Sequence, residues 1–234
     1  PDTLLLAVAI FGPNYGVADA IRTGLDTGGR WAENRNDTES PIGATRSFKT
    51  TARTATRRWY FNDRVALLDP DALPFRAQDN PATIGPRESN TLAVLFALLG
   101  GVVELGDPLV SLTPASLATV RRILPPYGRA ARPLDVFVRD YNERWVLAVS
   151  PWSDAPDAPT PWTLAAVTHW GVNRDHTGES PRAMPDTARR YRFTLEELRG
   201  GAINVAWELF SNTLVRVDAS GLEVAVEPHD AAVV

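Results

Sequence analysis

Short apolar runs alternate with amphipathic patterns along the first half of the chain. The apolar runs predict β-strands at residues 3–10, 18–23, 65–68 and 102–105. The intervening patterns predict helices at residues 50–60, 88–99 and 113–124. The third helix has Thr113 as its N-cap and Pro114 at its first position. Strands that alternate with helices indicate a parallel sheet with right-handed crossovers, and the uniformly apolar first strand should be buried on both faces.

The pattern changes to short β-strands in the second half. The segment LPPYGRAARPLD at residues 124–135 contains prolines and a glycine that interrupt the alternation. Apolar stretches then recur at a spacing of roughly 8–12 residues, which is typical of an antiparallel β-sandwich. The stretches are LDVFVRD, RWVLAVS, WTLAAVTHW, RRYRFTL, INVAWELFS, TLVRVD and LEVAVEP. We therefore predict two domains, residues 1–129 and residues 130–234.

The first domain has about half the strand–helix units of a (β/α)8 barrel, which needs about 250 residues in full. The predicted fold class is α/β plus all-β: the C-terminal half of a TIM barrel followed by an antiparallel β-sandwich. The chain enters its first strand almost directly after Pro1, so we interpret this start as a cut. A half barrel leaves two sheet edges open, and we expect the chain alone to be inactive, poorly soluble or assembled as a homo-oligomer.

Composition excludes several classes of protein. The chain has 234 residues, 44% of them hydrophobic and 22% charged, which indicates a globular protein. A net charge of -4 argues against nucleic-acid binding. There is no cysteine, and the three histidines lie too far apart in sequence to form a ligand pattern, so we expect no metal and no cofactor. The apolar runs are too short to span a membrane, which needs about 20 residues, so a soluble protein is expected, with the cytoplasm favoured.

Carboxylates at the predicted strand ends are the richest chemical signal. Asp26, Asp69, Asp71 and Asp107 each follow an apolar run and a turn. In a barrel they would converge on one mouth, because parallel strands place their sites at the carboxyl edge. Glycoside hydrolysis needs one carboxylic acid and one carboxylate base or nucleophile. An aspartate beside proline or glycine is also ordinary turn chemistry, so a structural role stays open for each.

Several segments share the order and composition of known motifs. They are GPNYGVADAIRTGLD at residues 12–26, LLDPDAL at 67–73, ALLGGVVELGDPL at 97–109, and LPPYGRAARPLDVF through to the final VAVEPHDAAVV. The chain resembles the α-galactosidase clan of glycoside hydrolases, particularly its family-36 branch, over nearly its whole length. This resemblance implies retaining hydrolysis of terminal α-galactosidic, or related α-glycosidic, bonds in an oligosaccharide or glycoside.

The resemblance also assigns roles to individual residues. Asp26 matches the general acid/base, and Arg22 matches the arginine that positions this acid and the sugar hydroxyls. Asp71 and Asp69 match positions that line the sugar. Trp31 would offer an apolar face to a sugar ring, unless it is a core residue. The loop lining the sugar pocket corresponds to Phe11, Gly12 and Pro13.

The sequence departs from the clan at the nucleophile. Clan members carry it as the aspartate of a Lys-x-Asp strand end, whereas Lys49, the only lysine here, is followed by Thr50 and Thr51. We therefore expect the N-terminal half of the barrel, from the same gene or a separate chain, to supply the nucleophile as a partner. Gly-Asp-Pro at residues 106–108 replaces the clan's Ser-Asp-Asp, which leaves the pocket's specificity open. The alternative is a non-catalytic fragment, or a carbohydrate-binding or structural β-sandwich module.

Two further groups of residues have both a structural and a functional interpretation. Arg53, Arg57 and Arg58 are expected to form a solvated helix face in preference to a binding patch. The second-half tryptophans could form a carbohydrate platform, but alternation favours the core for Trp145, Trp162 and Trp207. Trp152, beside a proline-rich loop, is the better candidate for exposure.

Overall fold

The computed structural model describes ten stretches of the chain. They are residues 4–7, 14–24, 26–27, 31, 47–75, 84–138, 141–150, 160–171, 187–198 and 205–234. Phe11, Gly12, Pro13 and Trp152, which the sequence singled out, lie outside the described residues.

The first half contains two small parallel sheets. Strands β1 (Leu6–Ala7), β2 (Ala20–Arg22) and β3 (Leu67–Asp69) form one sheet in that order. Strands β4 (Ala72–Leu73) and β5 (Glu104–Leu105) form the other. The predicted parallel pairing is therefore confirmed, although β4 was not predicted.

The described residues of this half include the α-helices α1 (Phe48–Arg58), α2 (Pro86–Leu99) and α3 (Pro114–Ile123). The Thr113 side chain accepts a hydrogen bond from the Ser116 amide, which confirms the predicted N-cap of α3. Glu88 accepts one from the Gly85 amide at the start of α2. Within the described part of the chain, no helix combines the length and apolarity needed to cross a membrane.

The prediction that the first strand is buried on both faces is wrong for the residues described. Leu4, Leu5 and Leu6 are 63%, 49% and 37% exposed, respectively. The reason is topological, because β1 is an edge strand of its sheet and pairs only with β2 among the described strands. An apolar run alone does not distinguish an edge strand from a central one.

The second half forms two antiparallel four-stranded sheets that pack face to face. The sheet orders are β13-β8-β7-β6 and β10-β11-β12-β9. Their bounds are β6 Arg132–Pro133, β7 Arg144–Val149, β8 Trp162–His169, β9 Arg189–Phe193, β10 Val205–Glu208, β11 Thr213–Asp218, β12 Gly221–Val226 and β13 Asp230–Val233. The described part of the stretch LDVFVRD, residues 134–138, does not form the predicted strand, since residues 136–138 lie in a turn where Phe137 has a φ of 66°.

One sheet is buried on both faces and connects the two halves. Along β7, Trp145 and Leu147 pack in the same cluster as helix α2, while Val146 packs against the second sandwich sheet. This alternation follows the two-residue period of a strand. A continuous hydrophobic core therefore extends from α2 through the sheet that contains β7.

The three tryptophans predicted to lie in the core do not share one environment. Trp145 has no exposed surface, so its predicted core position is confirmed. Trp162 and Trp207 are 50% and 47% exposed, so the same prediction is wrong for them. Trp162 opens strand β8 and Trp207 lies on β10, at the outer end of its sheet, where fewer neighbours cover a large side chain.

A pair of glycines brings the end of α2 back against strand β3. Gly100 ends the helix with a φ of 68°, in the left-handed region that glycine adopts without strain. A Cβ on Gly101 would lie 2.1 Å from the Leu68 carbonyl oxygen, so only glycine allows this close approach. The Val102 amide donates to the same oxygen at 2.8 Å. This hydrogen bond holds the segment after α2 against Leu68, the residue that precedes Asp69.

Candidate functional site

The carboxyl ends of strands β2 and β3 lie side by side. Arg22, the last residue of β2, is in register with Asp69, the last residue of β3. The Thr23 amide donates to the Asp69 carbonyl oxygen at 2.7 Å and extends the pairing by one step. Because the strands are parallel, the segments that follow both of them leave from the same edge of the sheet. This edge is where parallel α/β folds build their sites.

The guanidinium of Arg22 contacts three carboxyl groups at this edge. Its Nε lies 3.2 Å from Oδ2 of Asp69. Its Nη1 lies 3.0 Å from Oδ1 of Asp26 and 3.1 Å from Oδ2 of Asp71. A planar guanidinium with fixed donor directions suits such an arrangement better than an ammonium would. The sequence prediction that Arg22 lies against Asp26 agrees with these distances.

Asp69 is enclosed by its partners. Its side chain has no exposed surface, Oδ2 faces Arg22, and Oδ1 accepts a hydrogen bond from the Asp71 amide at 2.8 Å. No part of this carboxylate is left to meet a ligand. The structure therefore gives Asp69 a supporting position behind Arg22, where the sequence interpretation made it a sugar ligand.

Asp71 ties the segment after β3 to the segment after β2. Its Oδ2 accepts hydrogen bonds from the Thr27 amide at 2.7 Å and from the Thr27 hydroxyl at 3.1 Å. Its Oδ1 accepts from the Ala72 amide at 2.7 Å. The backbone of Asp71 has a φ of 80°, which costs about 1–2 kcal/mol for a residue with a side chain. Asp71 accepts the hydrogen bonds from Thr27 and Ala72 while its backbone is in this left-handed conformation.

Asp26 is the accessible carboxyl of the group. Its side chain is 64% exposed, compared with 12% for Asp71 and none for Asp69. A group that exchanges protons with a substrate must be reached by that substrate, and a positioned neighbour must hold it still. Asp26 meets both conditions through its exposure and its contact with Arg22.

The charge of Arg22 is secured by its neighbours. Burial on its own lowers the pKa of this guanidinium, but attraction to Asp71, Asp69 and Asp26, together with the hydrogen bond to Asp69, outweighs burial and raises the pKa above its ordinary value. Arg22 therefore stays cationic whenever the carboxyl groups around it are ionised.

Two other predicted residues lie outside this cluster. Asp107 follows β5, and its Oδ2 accepts a hydrogen bond from the Phe75 amide at 2.6 Å, so it joins the segments that follow β4 and β5. Trp31 is only 7% exposed and stacks on Trp170 with ring centroids 5.5 Å apart. Of the two interpretations left open for Trp31, the structure favours the core.

Thr27 is the residue of the cluster that the sequence did not single out. A threonine after an aspartate has no motif of its own, and its contact with Asp71 spans 44 residues. Lys49 is 2% exposed and its Nζ lies 5.5 Å from the ring centre of Tyr141. Among the described residues, no group of three or more histidine and acidic side chains is arranged to hold a metal ion.

Comparison with known proteins shows similarity in fold. No family model matches the chain, and no curated protein sequence matches it significantly. Solved structures do match, with 12–14% sequence identity. A candidate α-galactosidase from Bacteroides fragilis matches 92% of this chain and 42% of its own, with a TM-score of 0.61. α-Galactosidase I from Mortierella vinacea matches 93% of this chain and 52% of its own, with a TM-score of 0.60.

A third match is a family-27 β-L-arabinopyranosidase from Geobacillus stearothermophilus, solved with arabinose. It covers 92% of this chain and 44% of its own, with a TM-score of 0.59. The chain thus spans about half the length of the enzymes it matches, between 42% and 52% for these three. At this level of identity, the chain shares the fold of part of α-galactosidases and related glycoside hydrolases.

The two aspartates on either side of Arg22 should differ in their effect on stability. We expect Asp69→Ala to lower the free energy of unfolding by about 1–3 kcal/mol, because it leaves the Nε of Arg22 and the Asp71 amide without their buried acceptor, while Asp26 and Asp71 still face Nη1. Asp26→Ala removes an exposed ion pair, which is worth about 1 kcal/mol or less. Chemical denaturation of both variants measures the difference, and equal losses would contradict the supporting position of Asp69.

Proposed function

We propose that this chain forms the acid/base half of a retaining glycoside hydrolase that cleaves terminal α-galactosidic, or related α-glycosidic, bonds. The observation that supports it best is the exposed carboxyl of Asp26, held 3.0 Å from an arginine that two less exposed aspartates fix in turn. The shared fold with α-galactosidases adds support, since this cluster lies at the edge where parallel α/β folds bind substrates. The resemblance to the family-36 branch belongs to the same proposal.

In the proposed reaction, Asp26 moves one proton in each of two steps. As a carboxylic acid it protonates the glycosidic oxygen, while a carboxylate nucleophile attacks the anomeric carbon and the leaving group departs. As a carboxylate it then removes a proton from water, which attacks the glycosyl-enzyme and releases the sugar and the nucleophile. Asp26 ends the cycle protonated, as it began.

Arg22 and Asp71 have supporting roles in this proposal. The Nη1 of Arg22 fixes the direction of the Asp26 carboxyl, and Asp71 holds the Thr27 backbone beside it. Asp71 keeps 12% of its side chain exposed, so it remains a proposed sugar contact. Phe11, Gly12 and Pro13 stay predicted parts of the sugar pocket.

The nucleophile is proposed to come from a second segment, the N-terminal half of the barrel. Lys49 does not belong to a Lys-x-Asp motif, and its side chain is buried against Tyr141. Retaining enzymes hold their two carboxyl groups about 5–5.5 Å apart, so the second carboxylate must lie beside Asp26.

A second candidate function is carbohydrate binding by the sandwich. Trp162 and Trp207 both line a groove of about 750 Å³, and each is about half exposed. Exposed indole rings provide flat apolar faces, and a groove of this size falls in the range of small-ligand sites, about 300–1,000 Å³.

Replacement of Asp26 should affect substrates according to their leaving group. In a polypeptide that also contains the proposed N-terminal half, we expect Asp26→Asn to lower kcat/KM for an alkyl α-galactoside by about 100- to 10,000-fold, because the alkoxide needs a proton to leave. A dinitrophenyl α-galactoside should lose much less, because its leaving group departs without protonation. The matched control is Asp63→Asn, an exposed aspartate with a φ of 61° that asparagine also adopts. Equal losses on both substrates would refute the acid/base role.

Adding the proposed N-terminal half should decide between the two candidate functions. We expect hydrolysis of α-galactosides by a polypeptide that contains both halves and none by residues 1–234 alone, because the nucleophile is missing. Hydrolysis by the isolated chain at the same rate would place the nucleophile within it. If neither polypeptide hydrolyses a glycoside, but immobilised galactan retains the chain and Trp207→Ala abolishes this retention, the binding module is correct.

A further inference from the structure

Among the described residues, the sandwich contacts Trp31, five residues after Asp26, through aromatic rings. The ring of Trp31 lies nearly parallel to that of Trp170, with an angle of 17° and a centroid distance of 5.5 Å. The imidazole of His229 lies 5.2 Å from the Trp31 ring. Trp170 follows β8 and His229 precedes β13, so two neighbouring sandwich strands supply these contacts.

Both sandwich residues are themselves fixed. Trp170 has no exposed surface, its Nε1 donates to the Asn142 carbonyl oxygen at 3.3 Å, and Tyr141 stacks on it at 5.7 Å. The His229 Nδ1 lies 2.9 Å from Oε1 of Glu88 on helix α2. Stacked aromatic pairs contribute beyond the area they bury, so the position of Trp31 is strongly determined.

Trp31 is close to Asp26 along the chain. Four residue steps separate it from Thr27 and can span at most about 14 Å. Thr27 is held at its end by Asp71, and the Trp31 carbonyl oxygen accepts a hydrogen bond from the Lys49 amide at 3.0 Å. The position of Trp31 therefore sets an upper limit on how far away Thr27 can lie.

From these contacts we propose that Trp170 and His229 are positioning residues for the acid/base segment. They fix Trp31, and Trp31 limits the positions that Thr27 and Asp26 can take beside Arg22. The sandwich thereby contributes to the catalytic geometry without touching the substrate. The catalytic part of this inference rests on the proposed function, whereas the positioning itself is a property of the fold.

Amide hydrogen exchange in the full chain tests the positioning without a need for activity. The variants are Trp170→Leu, which removes the stacked indole, and His229→Asn, which removes the imidazole and keeps a residue that tolerates the φ of 59°. His229 is partly exposed, so this variant keeps the test valid if Trp170→Leu does not fold. The reporter is the Thr27 amide, which donates to Asp71, and the internal reference is the Thr23 amide, which donates to Asp69.

We expect the Thr27 amide to exchange about tenfold faster in the variants, with the Thr23 amide within about twofold of wild type. Trp145→Leu is the matched control, since Trp145 is equally buried and lies on β7, the strand that pairs with β8. It should not change the Thr27 rate relative to Thr23. Unchanged Thr27 exchange in a folded variant, or a parallel rise of both amides, would overturn the proposal.

Kinetics on a polypeptide with both halves test the catalytic consequence. Loss of positioning should lower kcat for an alkyl α-galactoside more than for a dinitrophenyl one, with KM little changed, and Trp170→Phe should restore most of the difference. Equal loss on both substrates would refute the catalytic part. Absence of hydrolysis by the wild type would refute the proposed function, and the exchange measurement would still decide the positioning.

Discussion

The candidate site depends on one buried contact, that between the Arg22 guanidinium and the Asp69 carboxylate. It joins the ends of two parallel strands, and Nη1 of the same guanidinium then faces Asp26 and Asp71. A carboxylate removed from water needs such a partner, because an uncompensated buried charge is strongly destabilising. The pair therefore stabilises the sheet edge and fixes the direction in which the accessible acid points.

The second constraint is the shared core of the two halves. Helix α2 packs on the sheet that contains β7 and β8, and Trp170, which follows β8, stacks on Trp31. The hydrophobic packing that joins the halves thus includes Trp31, which follows Asp26 by five residues. The proposed positioning of Trp31 by Trp170 and His229 gives the sandwich a reason to accompany the parallel sheets.

Local signals were sufficient for some of these features and insufficient for others. The N-cap of α3 was predictable, because Thr113 and Pro114 act within one turn of the helix. The enclosure of Asp69 was not predictable, because it depends on the register between β2 and β3. That register pairs Asp69 with Arg22, which lies 47 residues away in the sequence. The half exposure of Trp162 depends on what the neighbouring strands cover, and periodicity does not encode that. The exposure of the leucines at β1 likewise depends on which strands lie beside it, which an apolar run does not encode.

The stereochemistry of the released sugar tests the central claim most directly. Proton NMR can follow the first anomer that a polypeptide with both halves releases from an α-galactoside, before mutarotation mixes the two forms. The account predicts that the α-anomer appears first, because two successive displacements restore the original configuration. Initial release of the β-anomer would contradict the covalent route, and absence of any hydrolysis would contradict the function itself.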